Sequence, residues 1–122
     1  MNIECLRYGN TDIAVVTGGE TVISDTESAL NLAMRVKHEM GTDKIAIDKR
    51  TIAEGFFILS TGIAGEILQK FINYHVKAAI YGDYSNYTSK PLRDFIYESN
   101  RGSNFFFVAT KEEAIEKLGE IQ

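Results

Sequence analysis

Apolar and polar residues follow two different periods along this chain, which predict strands in some segments and amphipathic helices in others. Two short runs joined by Gly9-Asn10 form an expected hairpin, because these two residues favour a tight turn. Three further apolar runs, KIAID, VKAAIY and NFFFVA, have the composition of buried strands. The five predicted strands cover residues 3–8, 12–17, 44–48, 76–81 and 104–109.

Four helices are predicted between and after the later strands. The first runs from about Ser24 to Met40, since Ser24 and Glu27 have the spacing of a capping box and Gly41 can end the helix. Residues 49–59 have no clear period and are expected to form a loop or a single helical turn. The other three helices begin at the Ser60-Thr61-Gly62 turn, at Thr88 or Ser89, and at Thr110.

This order of elements predicts one α/β domain over residues 1–122. Strand–helix–strand units require right-handed crossovers, so we expect a mixed, mostly parallel sheet of four to five strands with about four helices. The pattern leaves open whether the first two strands join the main sheet or form a flap. Sites on such sheets lie at the carboxyl ends of strands, which indicates residues 48–62, 83–89 and 109–111.

Charge and composition narrow the classes of partner. Lys plus Arg number 13 against 17 Asp plus Glu, and this net charge of −4 disfavours both duplex nucleic acid and anionic membranes as partners. No apolar run reaches the length of a membrane span. The single cysteine, Cys5, cannot form an internal disulfide, so we expect a soluble protein of the reducing cytoplasm.

Residues for metal or cofactor chemistry are too few and too scattered. Cys5, His38 and His75 have no metal-ligand spacing. The GIAG segment lacks both the Gly-Lys-Ser/Thr end of a P-loop and the Gly-x-Gly-x-x-Gly of a dinucleotide site. We therefore expect no metal and no cofactor.

The first candidate site is the turn Ser60-Thr61-Gly62. Helix starts carry free N–H groups and a positive dipole end, which favour anions. One hydroxyl that simply caps the helix is the plainest interpretation, contributing about 1 kcal/mol. A phosphoacceptor or an anion site is the functional alternative, and the two are compatible. Gly62 and Gly65 also suggest a close approach to a neighbouring backbone.

A second candidate set lies near the ends of later elements. Asp83 follows a strand, where binding carboxylates gather in parallel sheets. Glu98 and Arg101 are three residues apart on one helix, so a surface ion pair is the plainest interpretation. Tyr84 and Tyr87, in a polar loop, are expected to be exposed. The candidate interaction or ligand surface comprises Glu54, Phe56, Phe57, Asp83, Tyr84, Tyr87, Ser89, Glu98 and Arg101.

The central strand KIAID and the turn Leu59-Ser60-Thr61-Gly62-Ile63 resemble the STAS (anti-anti-sigma factor) fold. In that family an Asp-Ser-Ser-Gly-Leu turn opens the second helix, and a partner kinase that is also an anti-sigma factor phosphorylates its first serine. The resemblance extends from about Ile45 to Leu118, although Leu59 stands where the family has Asp. It implies a kinase or sigma-regulatory partner and a phosphoacceptor at Ser60 or Thr61.

The segments TGIAGEILQKF and LRDFIYESN are also similar to an uncharacterised bacterial family of domains of unknown function, which brings no activity with it. We therefore expect a non-enzymatic bacterial regulatory or protein-interaction module that docks a protein partner near Ser60 and residues 83–89. One alternative is a small-molecule binder or enzyme that uses Asp83, Glu98 and Arg101 beside the tyrosines. Another is a homodimeric assembly module held together by exposed aromatic side chains.

Overall fold

The computed structural model describes residues 1–121 and contains a five-stranded sheet in the order β1-β2-β3-β4-β5. The first two strands form an antiparallel hairpin, and the remaining neighbours are all parallel. This confirms the predicted mixed, mostly parallel sheet and shows that the opening strands are part of it. The strands are β1 (Asn2–Tyr8), β2 (Thr11–Thr17), β3 (Lys44–Asp48), β4 (Lys77–Tyr81) and β5 (Phe105–Val108).

Within the described residues, four α-helices accompany the sheet, as predicted. They are α1 (Thr26–Met40), α2 (Ile63–Asn73), α3 (Lys90–Arg101) and α4 (Lys111–Glu120). The segment between β3 and α2 contains three short 3-10 turns, at Lys49–Thr51, Glu54–Phe57 and Leu59–Thr61. Within residues 1–121, no helix has both the length and the apolar character needed to cross a membrane.

The helices are distributed unequally over the two faces of the sheet. Consecutive parallel strands joined by crossovers of one hand place α1, α2 and α3 on the same face. The apolar side chains of these helices pack against Ile45, Ile47 and Phe105 of the sheet and form with them the larger of two buried clusters. The other face packs Val15 and Phe106, among others, against α4. Because β3 and β4 are parallel, their carboxyl ends, Asp48 and Tyr81, lie side by side, and the segments that follow them begin at the same end of the sheet.

The caps of the helices agree with the sequence analysis in part. Ser89 and Thr110 cap α3 and α4, and Gly41 ends α1 in a left-handed conformation. The predicted Ser24–Glu27 capping box is wrong. Asp25 is the N-cap of α1 and accepts a hydrogen bond from the Ser28 N–H at 2.8 Å, while the Asp25 N–H donates to the Ser28 hydroxyl at 3.1 Å. Aspartate caps a helix as well as serine does, so two adjacent residues competed for the position.

Candidate functional site

Two segments that follow neighbouring strands line one groove, which we call the Ser60 groove. It has a volume of about 440 Å³ and lies between the 3-10 turns after β3 and the loop that leads from β4 into α3. Both segments lie beyond the carboxyl ends of parallel strands, where sites are expected in such sheets. Its polar lining includes Glu54, Ser60, Tyr87 and Ser89, and its apolar lining includes Phe57, Ile58, Leu59 and Pro91.

The hydroxyls of Ser60 and Thr61 have different surroundings. The Thr61 Oγ1 lies 2.8 Å from the Gly55 carbonyl oxygen and 2.9 Å from the Ile58 carbonyl oxygen, so its hydrogen is already engaged. Ser60 is exposed, and among residues 1–121 its hydroxyl makes no hydrogen bond. Of the two predicted phosphoacceptors, Ser60 is therefore the one with a free hydroxyl in the groove.

The start of α2 agrees with the expected serine or threonine cap in part. Gly62, with φ +80°, is the N-cap and has no side chain to cap the helix, but the Thr61 hydroxyl accepts a hydrogen bond from the Ile63 N–H at 3.3 Å. Because glycine adopts this left-handed conformation without strain, it turns the chain from the last 3-10 turn into α2. The expected close approach of a neighbouring backbone is wrong, since a Cβ at Gly62 or Gly65 would meet nothing within 4 Å.

The aromatic side chains near the groove are more buried than the sequence indicated. Phe56 and Phe57 are only 2% and 3% exposed, so neither offers the free surface we expected of them. Tyr87 is half-buried, because its ring stacks on Phe57 with centroids 5.2 Å apart. Tyr84 is half-buried as well, and its hydroxyl donates to the Ile80 carbonyl at 2.8 Å. Burial raises the pKa of Tyr84 far above its ordinary value, so this phenol stays neutral.

Lys49 ties the two walls of the groove together, a role that the sequence analysis missed. Its Nζ lies 4.7 Å from the centre of the Tyr87 ring, 5.1 Å from that of Phe57 and 3.9 Å from Glu54 Oε1. The Tyr87 hydroxyl in turn donates to Glu54 Oε1 at 3.1 Å. Cation–π attraction and these polar contacts hold the loop after β4 against the first 3-10 turns.

The path of the Lys49 side chain depends on a glycine at the end of the next strand. A Cβ placed on Gly82 would lie 2.6 Å from Lys49 Cβ and 3.0 Å from its Cδ. No side chain at position 82 fits without displacing Lys49. In the sequence, Lys49 comes directly after one buried strand and Gly82 comes directly after the next. These two positions are the signal from which the contact could have been predicted.

Asp48, at the end of β3, is a buried carboxylate paired with an exposed arginine. Arg50 Nη2 lies 2.7 Å from Asp48 Oδ2, and the Arg50 N–H donates to Oδ1 at 2.9 Å. Burial alone would raise the pKa of Asp48, but the hydrogen bonds from Arg50 and the charges of Arg50 and Lys49 outweigh it and hold that pKa below its usual value. Burial, and then the Asp48 charge, raise the pKa of the neighbouring Tyr81 to about 12.

The alternative site built on Asp83, Glu98 and Arg101 is not assembled. Asp83 lines a separate, open cleft of about 750 Å³ with Tyr84 and others, and neither Glu98 nor Arg101 belongs to that lining. Among residues 1–121, Glu98 and Arg101 do not form the predicted ion pair. The Arg101 guanidinium instead lies 5.6 Å from the centre of the exposed Tyr97 ring.

Asp83 itself has a local structural role. Its carboxylate accepts a hydrogen bond from the Ser85 N–H at 2.9 Å, and the hydrogen bonds from Ser85 lower the pKa of Asp83. This contact shapes the loop that runs to the Ser60 groove. Across residues 1–121, no three His, Cys, Asp or Glu side chains converge in a way that would hold a metal ion.

Comparisons with known proteins give a family and a distant structural likeness. A family model described as "Domain of unknown function (DUF4180)" matches residues 8–118. No curated protein matches the chain. A solved structure similar to it is that of a "putative anti-sigma factor antagonist" from Thermotoga maritima, with 15% identity, coverage of 95% of this chain and 93% of that chain, and a TM-score of 0.47. At that score the likeness says nothing about what this chain does.

Proposed function

This chain belongs to the family described as Domain of unknown function (DUF4180), and we propose that it is a regulatory protein-interaction module that docks a partner protein in the Ser60 groove. The observation that carries the proposal is the groove itself, in which the turns after β3 meet the loop after β4. An exposed apolar side chain, Ile58, stands in its lining with 55% of its surface accessible. An apolar anchor surrounded by polar side chains is the usual composition of a protein interface.

The polar side chains of the groove suit recognition better than catalysis. Its one carboxylate, Glu54, is already engaged by the Tyr87 hydroxyl and by the Lys49 ammonium. Acid–base chemistry needs a titratable group that is free to reach a substrate. The remaining polar groups are small hydroxyls and an amide, Ser60, Thr88, Ser89 and Asn86, which can bond the backbone of a partner segment.

Phosphorylation of Ser60 is the switch that we propose for this docking. A phosphate there would add a charge of about −1.5 to −2 three residues before the first residue of α2, whose positive end attracts it. The same groove holds the Glu54 carboxylate, which repels it. The added charge would therefore act on both walls of the groove and change its affinity for a partner.

Capture of partners with a matched pair of variants tests the docking surface. Immobilised wild-type protein is incubated with bacterial lysate, and captured proteins are identified by mass spectrometry. Ile58→Asp is expected to reduce the affinity for a captured partner at least about tenfold, because a buried apolar anchor typically contributes more than 1 kcal/mol. Ile72→Asp, at an isoleucine that is 39% exposed outside the groove lining, should leave it unchanged. Equal loss in both variants, or none in either, would overturn the proposal.

The switch has its own test on the same partner. Mass spectrometry of the recovered bait is expected to find phosphate on Ser60 and not on Thr61. Ser60→Glu should change the measured affinity, whereas Ser103→Glu places the same charge outside the groove and should not. If Ser60→Glu and Thr61→Glu both bind with the affinity of the wild type, docking stands and the switch fails.

A further inference from the structure

The outward-facing backbone groups at the two edges of the sheet differ in whether they have hydrogen-bond partners. At β5, the Asn100 side chain occupies the outward N–H and C=O of Phe107. At β1, the pairing with β2 runs unbroken from Asn2 to Tyr8, with neither glycine nor proline in the strand. No hydrogen bond among residues 1–121 reaches the outer backbone of β1. A regular edge strand with free backbone groups is a template for another strand.

The hairpin turn determines which residues of β1 point outward. Gly9, with φ +61°, is the first central residue of a two-residue turn between Tyr8 and Thr11. Such a turn is closed by a hydrogen bond between the Tyr8 C=O and the Thr11 N–H. Because hydrogen-bonded and non-hydrogen-bonded pairs alternate along an antiparallel ladder, the backbone groups of Tyr8, Leu6 and Glu4 bond to β2, and those of the residues between them face away from it. The outward-facing backbone groups are those of Ile3, Cys5 and Arg7.

We infer that two copies of this chain associate through β1, antiparallel and centred on Cys5, to form one continuous sheet. In this two-fold register Ile3 lies opposite Arg7 of the second copy, and Cys5 lies opposite Cys5. All three outward residues of each strand are then paired, giving about six backbone hydrogen bonds. A shift by two residues in either direction leaves one outward residue of each strand unpaired. The centred register is therefore the favoured one.

The side chains of β1 suit a second copy of the same chain. The strand carries one Glu4 and one Arg7, so it is neutral in a chain whose net charge is −4. Two copies can approach along this edge with less repulsion than elsewhere on an acidic surface. Ile3 and Leu6 are only half-buried in the single chain, and the second strand would cover them further.

The size of this contact sets the strength to be expected. Two seven-residue strands bury less than the roughly 1,200–2,000 Å² of a standard stable interface. Association is therefore expected to be weak and to rise with protein concentration. Sedimentation equilibrium over micromolar to millimolar concentrations measures it directly.

A proline at Cys5 separates edge pairing from other modes of association. Cys5→Pro removes an outward N–H at the two-fold axis and leaves the ladder with β2 intact, since proline is tolerated on an edge strand. We expect wild type and Cys5→Ser to associate alike, and Cys5→Pro to associate at least about tenfold more weakly. Circular dichroism checks that it is folded. If it is not, Arg7→Glu serves instead, because it gives each strand two negative charges and should also weaken association.

Oxidation of the single cysteine tests the register. Residues directly opposite in a hydrogen-bonded antiparallel pair have Cα atoms about 5.5 Å apart, within the range that a disulfide spans. Copper-phenanthroline oxidation should therefore join two wild-type chains. The Cys5→Ser, Glu4→Cys double variant should cross-link several-fold more slowly, because position 4 faces Leu6 of the second copy. The inference is overturned if the wild type stays monomeric, if Cys5→Pro associates as Cys5→Ser does, or if both cysteine positions cross-link equally.

Discussion

The carboxamide of Asn100 pairs with the backbone of Phe107 as a neighbouring strand would. The Phe107 N–H donates to Asn100 Oδ1 at 2.7 Å, and Asn100 Nδ2 donates to the Phe107 carbonyl at 3.1 Å. One side chain from the last turn of α3 thereby satisfies both outward groups in the middle of β5. Edge strands with such groups left free invite pairing with other chains, so this contact protects the middle of that edge of the sheet.

Replacing the amide with a carboxylate should break half of this pairing. Asn100→Asp cannot donate to the Phe107 carbonyl when ionised, and it places a negative charge beside that oxygen. We expect the free energy of unfolding at pH 7 to fall by about 1–3 kcal/mol, the cost of an unpaired buried acceptor. Part of the loss should be recovered in acid, where the protonated carboxyl regains a donor. Urea unfolding at two pH values measures this, and the exposed Asn31→Asp is the control, which should cost less than about 0.5 kcal/mol.

The two hydroxyls before α2 should differ in their effect on stability. Thr61→Val removes the hydroxyl that bonds the carbonyls of Gly55 and Ile58, and should cost about 1 kcal/mol of unfolding free energy. Ser60→Ala removes an exposed hydroxyl and should change stability by less than about 0.5 kcal/mol. Chemical denaturation of the two variants side by side gives the comparison. A larger loss in Ser60→Ala than in Thr61→Val would contradict the hydrogen bonding described for this turn.

The Asp48–Arg50 pair should contribute stability that depends on pH. The pKa of Asp48 is lower in the folded protein than its usual value of about 3.9. The ionised carboxylate therefore contributes fully to stability at pH values above that usual pKa. The contribution is lost as pH falls through the folded pKa. Asp48→Asn should therefore cost about 1–2 kcal/mol at pH 7, and the difference from wild type should shrink below about pH 4. Thermal melts across pH follow both proteins.

An exposed ion pair provides the matched control for Asp48. Asp94 pairs with Lys90 at 2.7 Å on the surface of α3, where both side chains are mostly accessible. Pairs of this kind typically contribute 0–1 kcal/mol, so Asp94→Asn should be close to neutral. If the two asparagine variants lose the same stability, burial of Asp48 has no role in its effect.

Two glycine-to-alanine changes should alter the stability of the protein in opposite directions. At Gly82 the new Cβ would lie 2.6 Å from Lys49 Cβ, and overpacking of this kind costs about 1–3 kcal/mol. At Gly65, in the first turn of α2, a Cβ meets nothing within 4 Å, so alanine should stabilise the helix by about 0.5–1 kcal/mol. Melting temperatures decide the matter. Stabilisation by Gly82→Ala would mean that Lys49 does not follow the path described.

The sequence predicted the elements well because their signals are local. The apolar period, the Ser89 and Thr110 caps and Gly41 each act within a few residues, and the structure has the strands and helices in the expected order. The cap of α1 was misplaced because Ser24 and Asp25 are adjacent and chemically equivalent in that role. Local patterns could not decide between them.

The site was harder to predict because its contacts join residues that are distant along the chain. Tyr84 and Tyr87 lie in a polar segment, which favoured exposure, yet their rings pack on Phe57 and Phe107 from other elements. The central position of Lys49 follows only from the pairing of β3 with β4, which brings it beside the strand end at Gly82. Sequence alone located the two walls of the Ser60 groove and gave no means of finding how they are joined.

The unequal covering of the sheet has a consequence for the synthesis of the protein on the ribosome. The face that carries Val15 and Phe106 is covered by α4, which follows every other described element along the chain. During translation the first three helices can pack as they emerge, but this second face stays open until α4 has left the exit tunnel. A nascent chain therefore passes through a stage in which a helix-covered half exists beside a bare apolar surface. Such surfaces are what chaperones bind, and this interval is when the chain is most prone to aggregate.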